Sequence, residues 1–197
     1  MDRVFPILFI IFVKEHNFSM PDFLSKEERS VRMSRIHSAS TKPELKLRHA
    51  LWHHGFRYRI NDKRLPGRPD IVLPKYRTVV FMHGCFWHGH KDCPTSHIPQ
   101  TNTEFWEAKV ARNQERDQEV WRKLEAKGWN VIIVWECQLK KAVLEDTVNQ
   151  VAEEIRHNGE ILRRAQNDRK KAREEYRLER RIRKEREESL LEEVKSL

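Results

Sequence analysis

Three histidines, two cysteines and two adjacent aromatic rings fall within residues 82–93, MHGCFWHGHKDC. Imidazoles and thiols ligate transition metals, imidazoles also move protons, and such density over one short stretch points to a site rather than to packing alone. Cys85, His90 and Cys93 lie within nine residues, and Cys137 further along completes the cysteines of the chain. A Cys3His set closed around Zn2+ leaves no position for a reacting water, so this would be a structural metal site. His88 competes with His90 as fourth ligand, and three unrelated buried cysteines are the plain alternative.

If His90 takes the metal, His83 and His88 remain near Asp70. A carboxylate that holds a hard cation such as Mg2+, with a histidine to transfer the proton, suits hydrolysis of a phosphodiester. A lone histidine more often serves structure, and it is the grouping that argues for chemistry. Phe86 and Trp87 stand between a zinc ligand and a candidate catalytic histidine. Rings presented by a loop can wedge between base steps, at an unstacking cost that is lowest where the bases are mispaired. The alternative is that they cover the zinc site.

These groups need elements to hold them. STKPELKLRHALWHHG reads as a helix, with cap-type Ser40 and Thr41, Pro43 in the opening turn and Gly55 at the end. Glu44, Leu47 and Leu51 then share one face, so Glu44 is either a first-turn acid favoured by the helix dipole or an inward carboxylate of the site. RPDIVLPKYRTVVFMHG predicts strands over 71–73 and 78–82 around a turn at Pro74 and Lys75, with Asp70 at the mouth of the first and the cluster at the end of the second. In TEFWEAKVARNQERDQEVWRKLEAKG an inward stripe of Trp106, Val110, Val120 and Leu124 also carries Asn113 and Asp117, a polar pair that must be hydrogen-bonded in the core or belong to a site. WNVIIVWEC reads as a buried strand ending at Cys137, and Leu144, Val148, Val151 and Ile155 mark one more amphipathic helix.

The chain of 197 residues has room for one domain with appendages, here residues 20–158 with a tail over 159–197. Of its formal charge of +9, +6 lies in residues 163–187, which hold 12 basic and 6 acidic side chains. Such a tail is a solvated charged helix or a partly disordered arm, and nucleic acid is its sharper reading. Three cysteines are too few for a disulfide scaffold, so a cytoplasmic protein with thiols free for metal is expected. The apolar run VFPILFIIFV over residues 4–13 is far short of a bilayer span and no small-residue cleavage site follows it. We expect residues 1–19 to be an extension from a misread start, Met20 opening the protein, and no membrane partner.

The stretches MSRIHSASTKPE, LPGRPD, VVFMHGCFWHGH, TNTEFWEAKVARNQERD and GWNVIIVWEC occur in order over roughly residues 30–140. In them the sequence resembles the very short patch repair endonucleases, bacterial enzymes that nick duplex DNA at T:G mispairs. The resemblance implies a restriction-endonuclease-like α/β fold, three layers around a central mixed sheet. It implies that Asp70 and the main-chain carbonyl of Met82 hold Mg2+, that His83 and Asp117 hold metal-bound waters, that His88 acts on the scissile phosphate and that Glu44 supports the site. Cys85, His90, Cys93 and Cys137 would ligate Zn2+, and Phe86, Trp87 and Trp106 would wedge into DNA beside the mispair.

The best-known member of the family has Thr where this chain has Met82, and one residue fewer between the counterparts of His90 and Cys93. The activity implied is a nick 5′ of the mismatched thymine left by deamination of 5-methylcytosine. A functional link to a cytosine-5 methyltransferase and to mismatch-repair proteins follows, and a monomer is expected. Two rivals remain: a nuclease of the same fold with another DNA specificity, and a zinc-stabilised DNA-binding module without catalysis. The tail lies outside the resemblance.

Overall fold

The computed structural model describes Ser25, Glu28, Val31 and residues 40–195, with side chains to residue 186. The extension expected over residues 1–19 lies outside the described residues. Helix α1 (Lys42–His53) is followed by β1 (Ile71–Leu73), a 3-10 turn (Pro74–Tyr76) and β2 (Thr78–His83). Then come helix α2 (Thr103–Ala126), β3 (Asn130–Trp135), a second 3-10 turn (Glu136–Leu139) and helix α3 (Leu144–Lys195).

The sheet has the order β1-β2-β3. β1 pairs antiparallel with β2, Ile71 opposite Val80, and β2 pairs parallel with β3, His83 opposite Trp135. Alternate side chains along the strands enter different cores. Ile71, Leu73, Val80, Ile132 and Val134 pack with Leu47 and Leu51 of α1 and with Val148, Val151 and Ile155 of α3. Val72, Val79 and Phe81 pack on the opposite face with Leu124 of α2. Helices therefore cover both faces of a mixed α/β, three-layer unit, which is why the strands read as continuous apolar runs instead of alternating ones.

The expectation of a buried strand running to Cys137 needs correction. β3 stops at Trp135, only Ile132 and Val134 on it are buried, and Cys137 sits in the 3-10 turn that follows. Paired only with β2 among the described residues, β3 is half-covered on its second face, and the apolar run alone does not reveal this. The tail is not a separate arm: α3 continues without a break from the docked residues 144–158 into an exposed stretch. Among the described residues no helix is long and apolar enough to cross a membrane.

Candidate active site and metal centre

Helix α1 places the first carboxylate. Thr41 caps it, its hydroxyl accepting from the Glu44 N–H at 3.4 Å and donating to Glu44 Oε1 at 2.9 Å, while the Ser40 N–H donates to Oε2 at 2.9 Å. Glu44 is thus a capping acid, and the same bonds aim it into the core at 5% exposure. One turn on, Arg48 donates to Glu44 Oε2 at 2.9 Å and to the main-chain carbonyl of Asp70 at 3.3 Å. Sequence reading missed Arg48, although a cation four residues after Glu44 on the Leu47/Leu51 face was a usable signal. Removing one partner of a buried ion pair strands the other. Arg48→Met is expected to cost about 3 kcal/mol in urea unfolding, most of it recovered when Glu44→Gln is added.

Asp70 enters from the start of β1 and crosses to β2, where Oδ2 accepts the Met82 N–H at 2.8 Å. Burial pushes its carboxyl up to about 6; the Met82 N–H opposes the shift, Glu44 adds to it and Arg48 opposes it. A carboxylate made costly in this way, beside a second acid, fits the coordination of a cation. At the end of β2 the His83 ring lies between His88, stacked at 3.8 Å, and Trp121 of α2, at 5.8 Å. Burial and the neighbouring His88 push His83 down to about 4, so it is neutral at pH 7, and its buried Nδ1 has no hydrogen-bond partner within the protein.

His88 Nδ1 is bonded to Asp117 Oδ2. Burial raises the Asp117 carboxyl, but the bond from His88, the charge of His88 and the bond from Arg116 outweigh it and hold the group below its ordinary value. Its other oxygen accepts from Arg116 at 3.3 Å. The loop carrying His88 is clamped to α2: Asn113 donates to the Trp87 carbonyl at 2.8 Å, and Gln114 to the carbonyls of His88 and Gly89 at 3.1 and 3.3 Å. Gly89 has φ +59°, and a Cβ there would stand 2.6 Å from Gln114 Nε2. The polar pair of the stripe therefore divides, Asn113 holding the loop and Asp117 facing His88. Glu44, Asp70, Met82, His83, His88 and Asp117 all line one cleft of about 690 Å³, with Lys63, Arg68 and Arg116 at its border.

The ligand atoms of Cys85, His90, Cys93 and Cys137 all lie within 4.8 Å of one another. A tetrahedron with metal–sulfur bonds of ~2.3 Å has edges of ~3.8 Å, so the four fit one ion. His90, not His88, joins the thiols: its ring lies flat on Trp135 at 4.0 Å, and its Nδ1 is 3.4 Å from Cys137 Sγ. Bonds to Thr95 lead in bringing the Cys93 thiol down to about 6, whereas burial, with Cys85 and Cys93 adjacent, pushes Cys137 up to about 12. Crowded thiols that resist losing further protons fit a cation-binding set, because coordination deprotonates them.

Phe86 and Trp87 of the same loop meet each other edge-on at 5.1 Å between ring centroids, and meet Trp106 of α2 at 5.2 and 6.0 Å. Phe105, exposed beside Trp106, was not anticipated. Phe86 and Trp87 also line a cavity of about 340 Å³ with Cys137, Lys42, Lys46 and Lys140. Phe86 and Trp87, both half-buried, thus border the metal centre.

The family model of the DNA mismatch endonuclease Vsr matches residues 21–94. The type II nicking enzyme V.NmeAIP of Neisseria meningitidis serogroup A is 51% identical over 138 residues, 70% of this chain and 98% of that protein. The DNA mismatch endonuclease Vsr of Escherichia coli K12 is 45% identical over 121 residues, 61% of this chain and 77% of its own length. The type II nicking enzyme V.XorIIP of Xanthomonas oryzae is 44% identical over 120 residues, 61% and 88% of the two chains. Together with the cleft and the thiol cluster, these matches make the chain a DNA endonuclease that belongs to the Vsr family.

Proposed function

We propose that the protein nicks one strand of duplex DNA on the 5′ side of the thymine in a T:G mispair, with Mg2+ for catalysis and Zn2+ for structure, on a restriction-endonuclease-like fold. The observation that carries this reading is that one loop after β2 holds the aromatic pair Phe86 and Trp87, the His88 that is bonded to Asp117 of α2, and three of the four metal-centre residues. Insertion of rings beside a weakened base pair then sets His88 at the backbone in the same motion. The names of the relatives, a mismatch endonuclease and nicking enzymes, agree with it.

Asp70 and the main-chain carbonyl of Met82 would hold Mg2+, which supplies positive charge to the phosphate oxygens when bound. Glu44, fixed by Arg48, keeps the Asp70 edge of the cleft acidic. His88 moves the proton at the scissile phosphate, and Asp117 fixes its ring, as a base-orienting carboxylate does. His83 and Asp117 hold water in the cleft, His83 through the Nδ1 that has no partner in the protein. Lys63, Arg68 and Arg116 attract the backbone without reading sequence. Phe86, Trp87 and Trp106 wedge at the mispair, where unstacking costs least. The thymine would arise by deamination of 5-methylcytosine, so the substrate depends on a cytosine-5 methyltransferase, and the work would be done in the cytoplasm, by a monomer, beside mismatch-repair proteins.

The test is a strand-specific nicking assay with Mg2+ on end-labelled duplexes that differ only in one T:G pair. A nick 5′ of the mispaired thymine is expected, with His88→Ala slower by about 10²- to 10⁴-fold at unchanged mismatch affinity. Equal cutting of matched duplex would reject the mismatch reading, and full activity in His88→Ala would remove that residue from proton transfer.

A further inference from the structure

Helix α3 leaves the domain at a defined point. Asn158 donates to the Tyr76 carbonyl at 2.5 Å and to Thr78 Oγ1 at 3.1 Å, and Gly159 passes so close to Tyr76 that a Cβ would be 2.7 Å from the ring. From Arg163 to Arg186 every side chain is exposed. Most cations of this segment share one face, and its acids lie on the other with Arg164, Lys171, Arg183 and Arg186. At 3.6 residues per turn, Arg169, Arg173, Arg177, Arg180 and Lys184 recur at three- and four-residue steps, with Lys170 and Arg181 beside them. Together they occupy about one third of the circumference. Asp168, Glu174, Glu175, Glu179 and Glu185 fall on the other side, with Leu178 and Ile182.

A helix that only needs solubility gains most from interleaved signs, as in the pairs Arg164–Glu160, Lys170–Glu174 and Lys171–Glu175 at 3.9 to 4.0 Å. Arg173, Arg177, Arg180 and Arg181 take part in none of these pairs. A one-sided row of cations about 22 Å long matches the backbone of duplex DNA, which presents a negative charge every ~1.7 Å of its axis.

We propose that this basic face is a second duplex-DNA contact, sequence-independent and separate from the cleft. It rests on DNA being the substrate, not on the T:G reading. Separation follows from topology: the exposed part of α3 leaves beside Thr78 at the start of β2, while His83 at the other end of that strand enters the cleft, ~17 Å along. The Neisseria relative is covered over 98% of its length by 70% of this chain, so part of this chain has no counterpart there.

The test uses the full chain in two variants that remove equal charge. One carries Arg173→Gln, Arg177→Gln, Arg180→Gln and Arg181→Gln; the other carries Arg164→Gln, Lys171→Gln, Arg183→Gln and Arg186→Gln, off the row. Glutamine keeps helix propensity, and circular dichroism checks that both helices persist. Binding to a fully matched 40-base-pair duplex is followed by anisotropy against salt. The row variant is expected to bind at least about tenfold more weakly at ~0.1 M salt, with a salt slope shallower by about 3. The off-row variant should lose under about threefold, and the ratio of T:G to matched affinity should be unchanged in both. Equal losses, or none, would overturn the proposal, as would sedimentation showing that the row holds two copies of the chain together. Matched-duplex binding is read independently of nicking, so failure of the T:G reading leaves this result interpretable.

Discussion

Asp70→Asn is expected to abolish nicking and, without added Mg2+, to make the protein more stable at pH 7. The Asp70 carboxyl is pushed up to about 6 in the folded protein, chiefly by burial. A raised value means that the folded state holds the proton more tightly than the unfolded chain does. The favourable contribution of the neutral form is complete below about pH 4 and is lost as pH rises to about 6. A shift of about two units corresponds to at most about 3 kcal/mol carried as a penalty at pH 7.

Asparagine can accept the Met82 N–H as Asp70 does, but has no charge to bury. Urea unfolding should therefore show Asp70→Asn ahead by about 2 kcal/mol at pH 7 and level with the parent near pH 4. Addition of Mg2+ should stabilise the parent and not the variant, because binding to the folded state alone shifts the equilibrium. A variant less stable than the parent at pH 7 would mean that Asp70 is not held against its charge, and persistent nicking would remove it from the Mg2+ site.

Cys137→Ser is expected to have the largest effect on folding. Cys85, His90 and Cys93 belong to one loop, whereas Cys137 is in the turn after β3, so an ion held by all four staples that loop to the sheet. Zinc content should fall from one per chain to near zero, and stability by on the order of 4 kcal/mol or more, since the binding energy of a structural ion is folding energy. The staple fixes the segment that presents Phe86, Trp87 and His88, so nicking should fall with it even where the cores of both sheet faces remain folded. Metal analysis with circular dichroism and the nicking assay checks all three. Unchanged zinc content would break the four-residue set.

The same contrast shows where reading a sequence succeeds. Helix α1 was legible because Thr41, Pro43 and Glu44 mark its start within a few residues, and the same residues aim Glu44 inward. The crowding of His83, Cys85, His88, His90 and Cys93 was legible because chain connectivity alone keeps them together. The inward stripe of α2 disclosed Asp117 through its period, as an acid where leucines and valines were due. Roles for these residues came from the resemblance, since spacing gives ligand types and not tasks.

Tertiary structure decided what spans long stretches of chain. His88 faces Asp117 across 29 residues and His90 faces Cys137 across 47, and only packing of the loop between α2 and β3 assigns one histidine to each. Trp121 against His83 and Trp135 against His90 have no local signal, because stacking partners are chosen by where strands and helices meet. Whether Asn113 or Asp117 served the core or the site depended on helix rotation at the level of single turns. The end of β3 at Trp135 depended on its place at the edge of the described sheet. In the tail the composition determined exposure and net charge, since no apolar face exists to bury; only its folding as one continuous helix set Arg169, Arg173, Arg177, Arg180 and Lys184 in one row clear of the acids.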